Sequence, residues 1–146
     1  MKKKSPQPEV ASADVLLNTA EAVDRKILQL LAEASVAIRR EPATGLVMMT
    51  VADGVGTDFH LGEVLVTEAE VEYEGKIGYG MVVGNNPEKA VVRAGVSAMM
   101  ESADSPYKAR LYKYLVREAR KISAKERITE ALSASTKVNF ESMTPW

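Results

Sequence analysis

Residues 44–94 read TGLVMMTVADGVGTDFHLGEVLVTEAEVEYEGKIGYGMVVGNNPEKAVVRA, and this stretch decides the fold. Leu46 to Val51 is apolar at both parities, which reads as a central strand with both faces covered. Asp53-Gly54 is a strong turn dipeptide, and Gly56 keeps the loop free. Phe59 to Tyr73 is long and alternating, so it reads as strand. Val64 and Val66 sit at even positions while Ala69, Val71 and Tyr73 sit at odd ones, which predicts a bulge near Thr67-Glu68. Glu74-Gly75-Lys76 is a short hairpin loop, and Ile77 to Val83 is the returning strand. Asn86-Pro87-Glu88 then starts a helix: an Asn N-cap, proline at the first position and an acid in the first turn. Ala90, Val91, Ala94, Ala98 and Met99 give that helix an apolar face of small residues, suited to close docking on the sheet.

Working outward, residues 1–9 read as a disordered arm, basic and then proline-rich. Ser12 suits the cap of a short helix carrying Val15, Leu16 and Leu17. Val23, Ile27, Leu30, Leu31 and Ala34 recur at three- and four-residue spacing, predicting a helix over 22–34 whose Asp24, Arg25, Lys26 and Glu33 face water. Ser35 to Glu41 switches to alternation and reads as a strand that Pro42 ends. On the far side, Asp104-Ser105-Pro106 begins a helix carrying Tyr107, Leu111, Leu115 and Ile122. Ser123 with Glu126 three residues on is a capping box for another, through about Ala134. Val138 and Phe140 alternate in an extended tail that ends at Trp146. The expectation is one α+β domain over 10–146, an antiparallel four- to five-stranded meander flanked by N-terminal and C-terminal helices.

With 146 residues the chain could bury roughly 68–70% of its unfolded surface, enough for one core. A net charge of −1 sets up no global field towards nucleic acid or membrane. There are no cysteines, which removes disulfides, thiolate zinc, iron–sulfur clusters and a cysteine nucleophile from this chain. Met1-Lys2-Lys3-Lys4 is followed by Ser5-Pro6-Gln7-Pro8-Glu9 where the apolar core of a signal peptide would stand. No apolar run approaches the ~20 residues of a membrane span. A soluble, cytoplasmic protein is expected.

Few residues suggest chemistry. Gly78-Tyr79-Gly80 with Gly84 has GxGxxxG spacing and lies within a strand, so close approach of a helix explains it better than nucleotide binding. The Asn86 helix start could hold an anion, but Pro87 removes a donor and Glu88 already supplies the charge. Asp58 and His60 share a parity and form a candidate dyad, whereas Glu63 does not share that face. Lys108, Arg110, Lys113, Arg117, Arg120, Lys121, Lys125 and Arg127 outnumber Glu118 and Glu126. These positives are expected to surround two helices, as a solvated or partner-facing surface. Phe140, Met143 and Trp146 are candidate interface anchors. No nucleophile, base and oxyanion donor assemble, so the residues point to a domain that binds a protein, with a stand-alone small-ligand-binding or interaction domain as the competing class.

Several separated blocks carry a resemblance. Phe59-His60-Leu61-Gly62-Glu63-Val64-Leu65-Val66-Thr67-Glu68-Ala69, Gly78-Tyr79-Gly80-Met81-Val82-Val83-Gly84 and Asn86-Pro87-Glu88-Lys89-Ala90 resemble the G subunit of the bacterial phosphonate carbon–phosphorus lyase core complex. Thr44-Gly45-Leu46-Val47-Met48 is similar to that family's entry into the sheet, with Ala43 where a glutamate usually stands. Val138-Asn139-Phe140 is similar to its closing block, with Asn139 replacing an acid. The likeness covers about residues 20 to 143. It implies a cytoplasmic, heteromultimeric complex with the I, H and J subunits and an ATP-binding-cassette-like L subunit, and no nucleic acid or membrane partner. It also implies an assembly that joins an alkylphosphonate to the C1′ of ATP's ribose, releases adenine and yields α-D-ribose 1-methylphosphonate 5-triphosphate. ATP and magnesium are implied for the complex, with no cofactor on this chain. The family's catalytic centre is placed on the I subunit and its iron–sulfur cluster on J, so no catalytic residue is carried over.

Overall fold

The structure is a computed structural model that describes Val15 and residues 19–52 and 56–135. Its elements run α1 (Glu21–Glu33), β1 (Ala37–Ala52), β2 (Asp58–Tyr73), β3 (Lys76–Val83), α2 (Pro87–Glu101) and α3 (Pro106–Ser135). The α+β class and the antiparallel meander hold, with three strands in the order β1-β2-β3. The basic arm (1–9), the helix expected after Ser12 and the tail beyond Ser135 lie outside the described residues, except that Val15 is helical and buried.

The strand count is lower than expected because two predicted strands are one. β1 runs through Pro42 and Gly45 without ending, and its register against β2 shifts between Ile38 and Arg40 and between Arg40 and Ala43. β1 is an edge strand, where a proline at an irregularity removes no ladder bond. Its Leu46–Val51 part is therefore not central. A third register shift, between Met49 and Thr50, places an extra residue at Leu61 beside Gly62, whose φ is +113°. β2 gains no extra residue at Thr67-Glu68, and it stays in register with β3 from Val66–Val83 to Tyr73–Lys76. The irregularity lies on β1, whose register shifts opposite Ala69, and Val66 and Thr67 are both buried where the parity changes. Glu74 and Gly75, with φ of +50° and +73°, make the tight turn between them.

One core holds the body together. Ile27, Leu30 and Leu31 of α1, Val71 and Tyr73 of β2, Val92, Val96 and Met99 of α2, and Leu111 and Leu115 of α3 form a single buried cluster. The small face of α2 does what it predicts. A Cβ on Gly78 would run into the backbone of Ala94 and Ala98, and one on Gly80 into that of Ala90 and Ala94, so strand and helix meet with nothing between them. Asn86 caps α2 as expected, its Oδ1 accepting the Lys89 N–H at 3.1 Å. α1 stops through paired backbone bonds, Ser35 N–H to Ala32 and Val36 N–H to Leu31, with Ser35 at φ +58°.

The C-terminal helices are also one. Ser105 caps α3, its Oγ accepting from Lys108 N–H at 3.1 Å, and Pro106 takes the first turn. Ser123 lies inside that helix and caps nothing, since nothing between Ile122 and Lys125 interrupts a run of good helix formers. The helix is anchored by Leu111, Leu115 and Glu118, and from Ala119 onward its described side chains are exposed or half-buried. Among the described residues, no helix is long and apolar enough to cross a membrane.

Candidate functional site

Two parts of the molecule leave the body. The first is the far half of the β1–β2 hairpin. β3 pairs with β2 only as far as Val66, so Leu46–Ala52 and Asp58–Leu65 pair with each other alone and form a two-stranded arm of ~25 Å. Its register places Leu46, Leu65 and Met48 on one face and Val47, Val64, Met49, Val51 and Phe59 on the other. Leu46, Met48, Phe59 and Leu61 each expose more than half of their surface. The double-sided apolar pattern is real, but among the described residues no second layer covers it. Each such side chain forgoes on the order of 1.5–3 kcal/mol of burial.

Asp58 and His60 sit near the tip of this arm, opposite Ala52 and Thr50. They share a face, as their parity requires, but His60 Nδ1 lies 2.9 Å from Thr50 Oγ1 across the ladder, and both residues are exposed. The pairing of His60 with Asp58 is not formed. Among the described residues no group of three or more His, Cys, Asp or Glu side chains could hold a metal ion. Phe140, Met143 and Trp146 lie outside the described residues.

On the body, the uncovered face of the sheet carries Glu68, Glu70 and Glu72 in a row along β2. Arg39 reaches Glu72 at 2.9 Å and Arg40 reaches Glu68. Tyr79 donates its hydroxyl to Glu68 at 2.7 Å. That hydrogen bond to a carboxylate, aided by partial burial and the glutamate's charge, raises the phenol above its ordinary value. Beside the row Ile77, Tyr79, Met81 and Val83 stand exposed on the edge strand β3. On the covered side, Thr67 ties the sheet to α2: its hydroxyl donates to Gly84 O at 2.6 Å and accepts from Asn86 N–H at 3.0 Å. Sequence reasoning missed this node, because a threonine in a strand carries no sign that a turn will close over it.

It also missed a buried polar cluster. Asp24, expected to face water, is buried against the start of α2. Thr19 Oγ1 donates to it at 2.6 Å, and Lys89 Nζ lies 3.6 Å away while donating to Thr19 O at 3.2 Å. Every member has a partner, which makes this a clasp between α1 and α2 and not a reactive centre.

The second projection is α3. Along it an open groove of about 480 Å³ is lined by Tyr112, Lys113, Val116, Arg117, Arg120 and Lys121. Tyr107 and Tyr114 pack against the core, while Tyr112 lines the groove.

The geometry thus shows two exposed surfaces and no assembled catalytic group among the described residues. A search among curated proteins finds no match. A family model described as "Phosphonate metabolism protein PhnG" matches residues 10–144. Nearly the whole chain falls within that match, including the arm, the glycine strand and the capped helix. The chain belongs to the PhnG family of phosphonate metabolism proteins.

Proposed function

We propose that this chain is a required but non-catalytic subunit of a carbon–phosphorus lyase complex. In that role it supports the synthesis of α-D-ribose 1-methylphosphonate 5-triphosphate from ATP and an alkylphosphonate, with release of adenine. The carrying observation is the arm: a strand pair with Leu46, Met48, Phe59 and Leu61 exposed suits a surface meant to be covered by another polypeptide. Membership of a phosphonate metabolism family supplies the pathway. The partners are the I, H and J subunits with the ATP-binding-cassette-like L subunit, and the I subunit is the one against which this chain packs. Such an assembly would act in the cytoplasm.

Co-expression with the I subunit, followed by size exclusion, tests this reading. One co-eluting species is expected, and separate elution of two stable monomers would refute it. His60 offers a second test, since a lone imidazole hydrogen-bonded to Thr50 lacks the companions of an acid–base site. In the reconstituted complex, His60→Ala is expected to leave ATP-dependent adenine release within a few-fold of the unmodified protein. A loss of roughly 100-fold or more, the scale of removed acid–base catalysis, would move the catalytic role onto this chain.

A further inference from the structure

Because α3 is one helix, its cations are in line. Arg110, Lys113, Arg117, Arg120, Ala124, Arg127 and Ala131 follow one another in steps of three and four, the spacing that keeps residues on one helix face. The opposite line, Tyr107, Leu111, Tyr114, Leu115 and Glu118, faces the body. Of the eight positives expected to surround the helices, five share this one face, turned away from the core, where two separate helices would scatter them; Lys108, Lys121 and Lys125 lie off the row.

Within the row Arg110 is paired with Glu33 at 2.7 Å, and beside it Lys121 is paired with Glu118 at 2.6 Å. Lys113, Arg117, Arg120 and Arg127 have no carboxylate partner among the described residues. They span ~21 Å of helix. Like charges three and four apart oppose the helix. The row continues past Ala119, where the helix has left its support on the core. An isolated helical stretch of that length is marginal in water. A counter-charged surface laid along the row would remove both penalties at once.

We infer that the outward face of α3, from Lys113 to Ala131, docks an acidic segment of a companion subunit, an inference that rests on the function proposed above. The partner's chemistry follows from the row. Lys113 and Arg120, seven residues apart, ask for carboxylates repeating at ~10 Å. Ala124, between Arg120 and Arg127, and Ala131, beyond Arg127, leave room for a close backbone. Nucleic acid fits less well, since Tyr112 is the one ring that lines the groove beside these cations, and a single ring makes a poor stacking platform. An anionic bilayer fits less well too, since Ile128 and Leu132 are the large, apolar, exposed side chains described beside the row, a small apolar face for membrane insertion.

The test measures binding of the full chain to the purified companion subunits I, H and J at several NaCl concentrations. It compares Lys113→Glu/Arg117→Glu/Arg120→Glu and the milder Lys113→Ala/Arg117→Ala/Arg120→Ala. Affinity of the unmodified chain is expected to fall as salt rises. The alanine variant should flatten that dependence, and the reversed variant should bind roughly 100-fold more weakly. Circular dichroism and Tm should not fall in either, because these side chains are exposed and lie outside the buried cluster. Equal affinity and equal salt dependence in all three proteins would overturn the inference and leave the proposed subunit role standing. Failure of the unmodified chain to bind at any salt would overturn both. Charge-dependent binding to phosphatidylserine vesicles or single-stranded RNA, with companion affinity unmoved by the substitutions, would overturn it in favour of those ligands.

Discussion

Asp24 lies in the first turn of α1, where free N–H groups favour an acid, yet its carboxylate is engaged elsewhere, by Thr19 and Lys89. Asp24→Asn would leave the Lys89 ammonium, itself mostly buried, without its counter-charge. The expected loss is about 3 kcal/mol in urea unfolding, the scale of a broken buried pair. Helical spacing could not have foreseen this, because the wheel of α1 describes only α1, and the start of α2 arrives from 65 residues further along the chain (Asp24 to Lys89). Asn86 was legible for the opposite reason: its partner is the backbone three residues on. Tyr79 gives a pH prediction. Its raised pKa means the folded state holds the phenol proton more tightly, so the stabilisation is fully present below the ordinary value near 10.0 and is lost as the pH rises through the higher folded value. In an ultraviolet titration Tyr79 should ionise above the ordinary phenol value, and Glu68→Gln should bring it back towards that value. A spectrum unchanged by that substitution would remove Glu68 as the cause.

At the scale of elements, the two glycines of β3 set how closely α2 lies on the sheet. Gly80→Ala would press a methyl into the Ala90 and Ala94 backbone, which no rotamer change relieves. A loss of about 3 kcal/mol or more in thermal unfolding is expected, at or beyond the upper end for overpacking. Gly45, by contrast, has open space around its would-be Cβ, so Gly45→Ala is the matched control and should shift stability far less. The glycine contact was legible because only the absence of side chains on one strand face explains such a pair. Pro42 and Ser123 misled for a shared reason. Each is a local stop signal, and each was outweighed by context: an edge strand tolerates the missing donor, and a helix already nucleated from Pro106 runs through a serine. The apolar run Leu46–Val51 was read correctly as a strand apolar on both faces, but not as a central one: it lies on the edge strand with most of its side chains exposed. Periodicity reports that a face is to be buried, not which chain buries it.

As a whole the molecule is a small core with two projections, the β1–β2 arm and the free length of α3. Replacing Leu46 and Phe59 together by Ser separates the roles of body and arm. Neither side chain belongs to the core cluster, so the melting temperature of the isolated chain should move little and its solubility should rise. Co-elution with the I subunit should be lost. Retained co-elution would show that the arm is not the docking element. The arm has one more consequence, and it concerns supply in the cell. A greasy ribbon with two open strand edges is a template for its own copies. Surplus molecules made ahead of their companions would therefore pair with each other, or be cleared by proteases, before they could wait. Such a protein is best produced in step with the polypeptides that sheathe it, and overexpressing it alone should give inclusion bodies that companion synthesis dissolves.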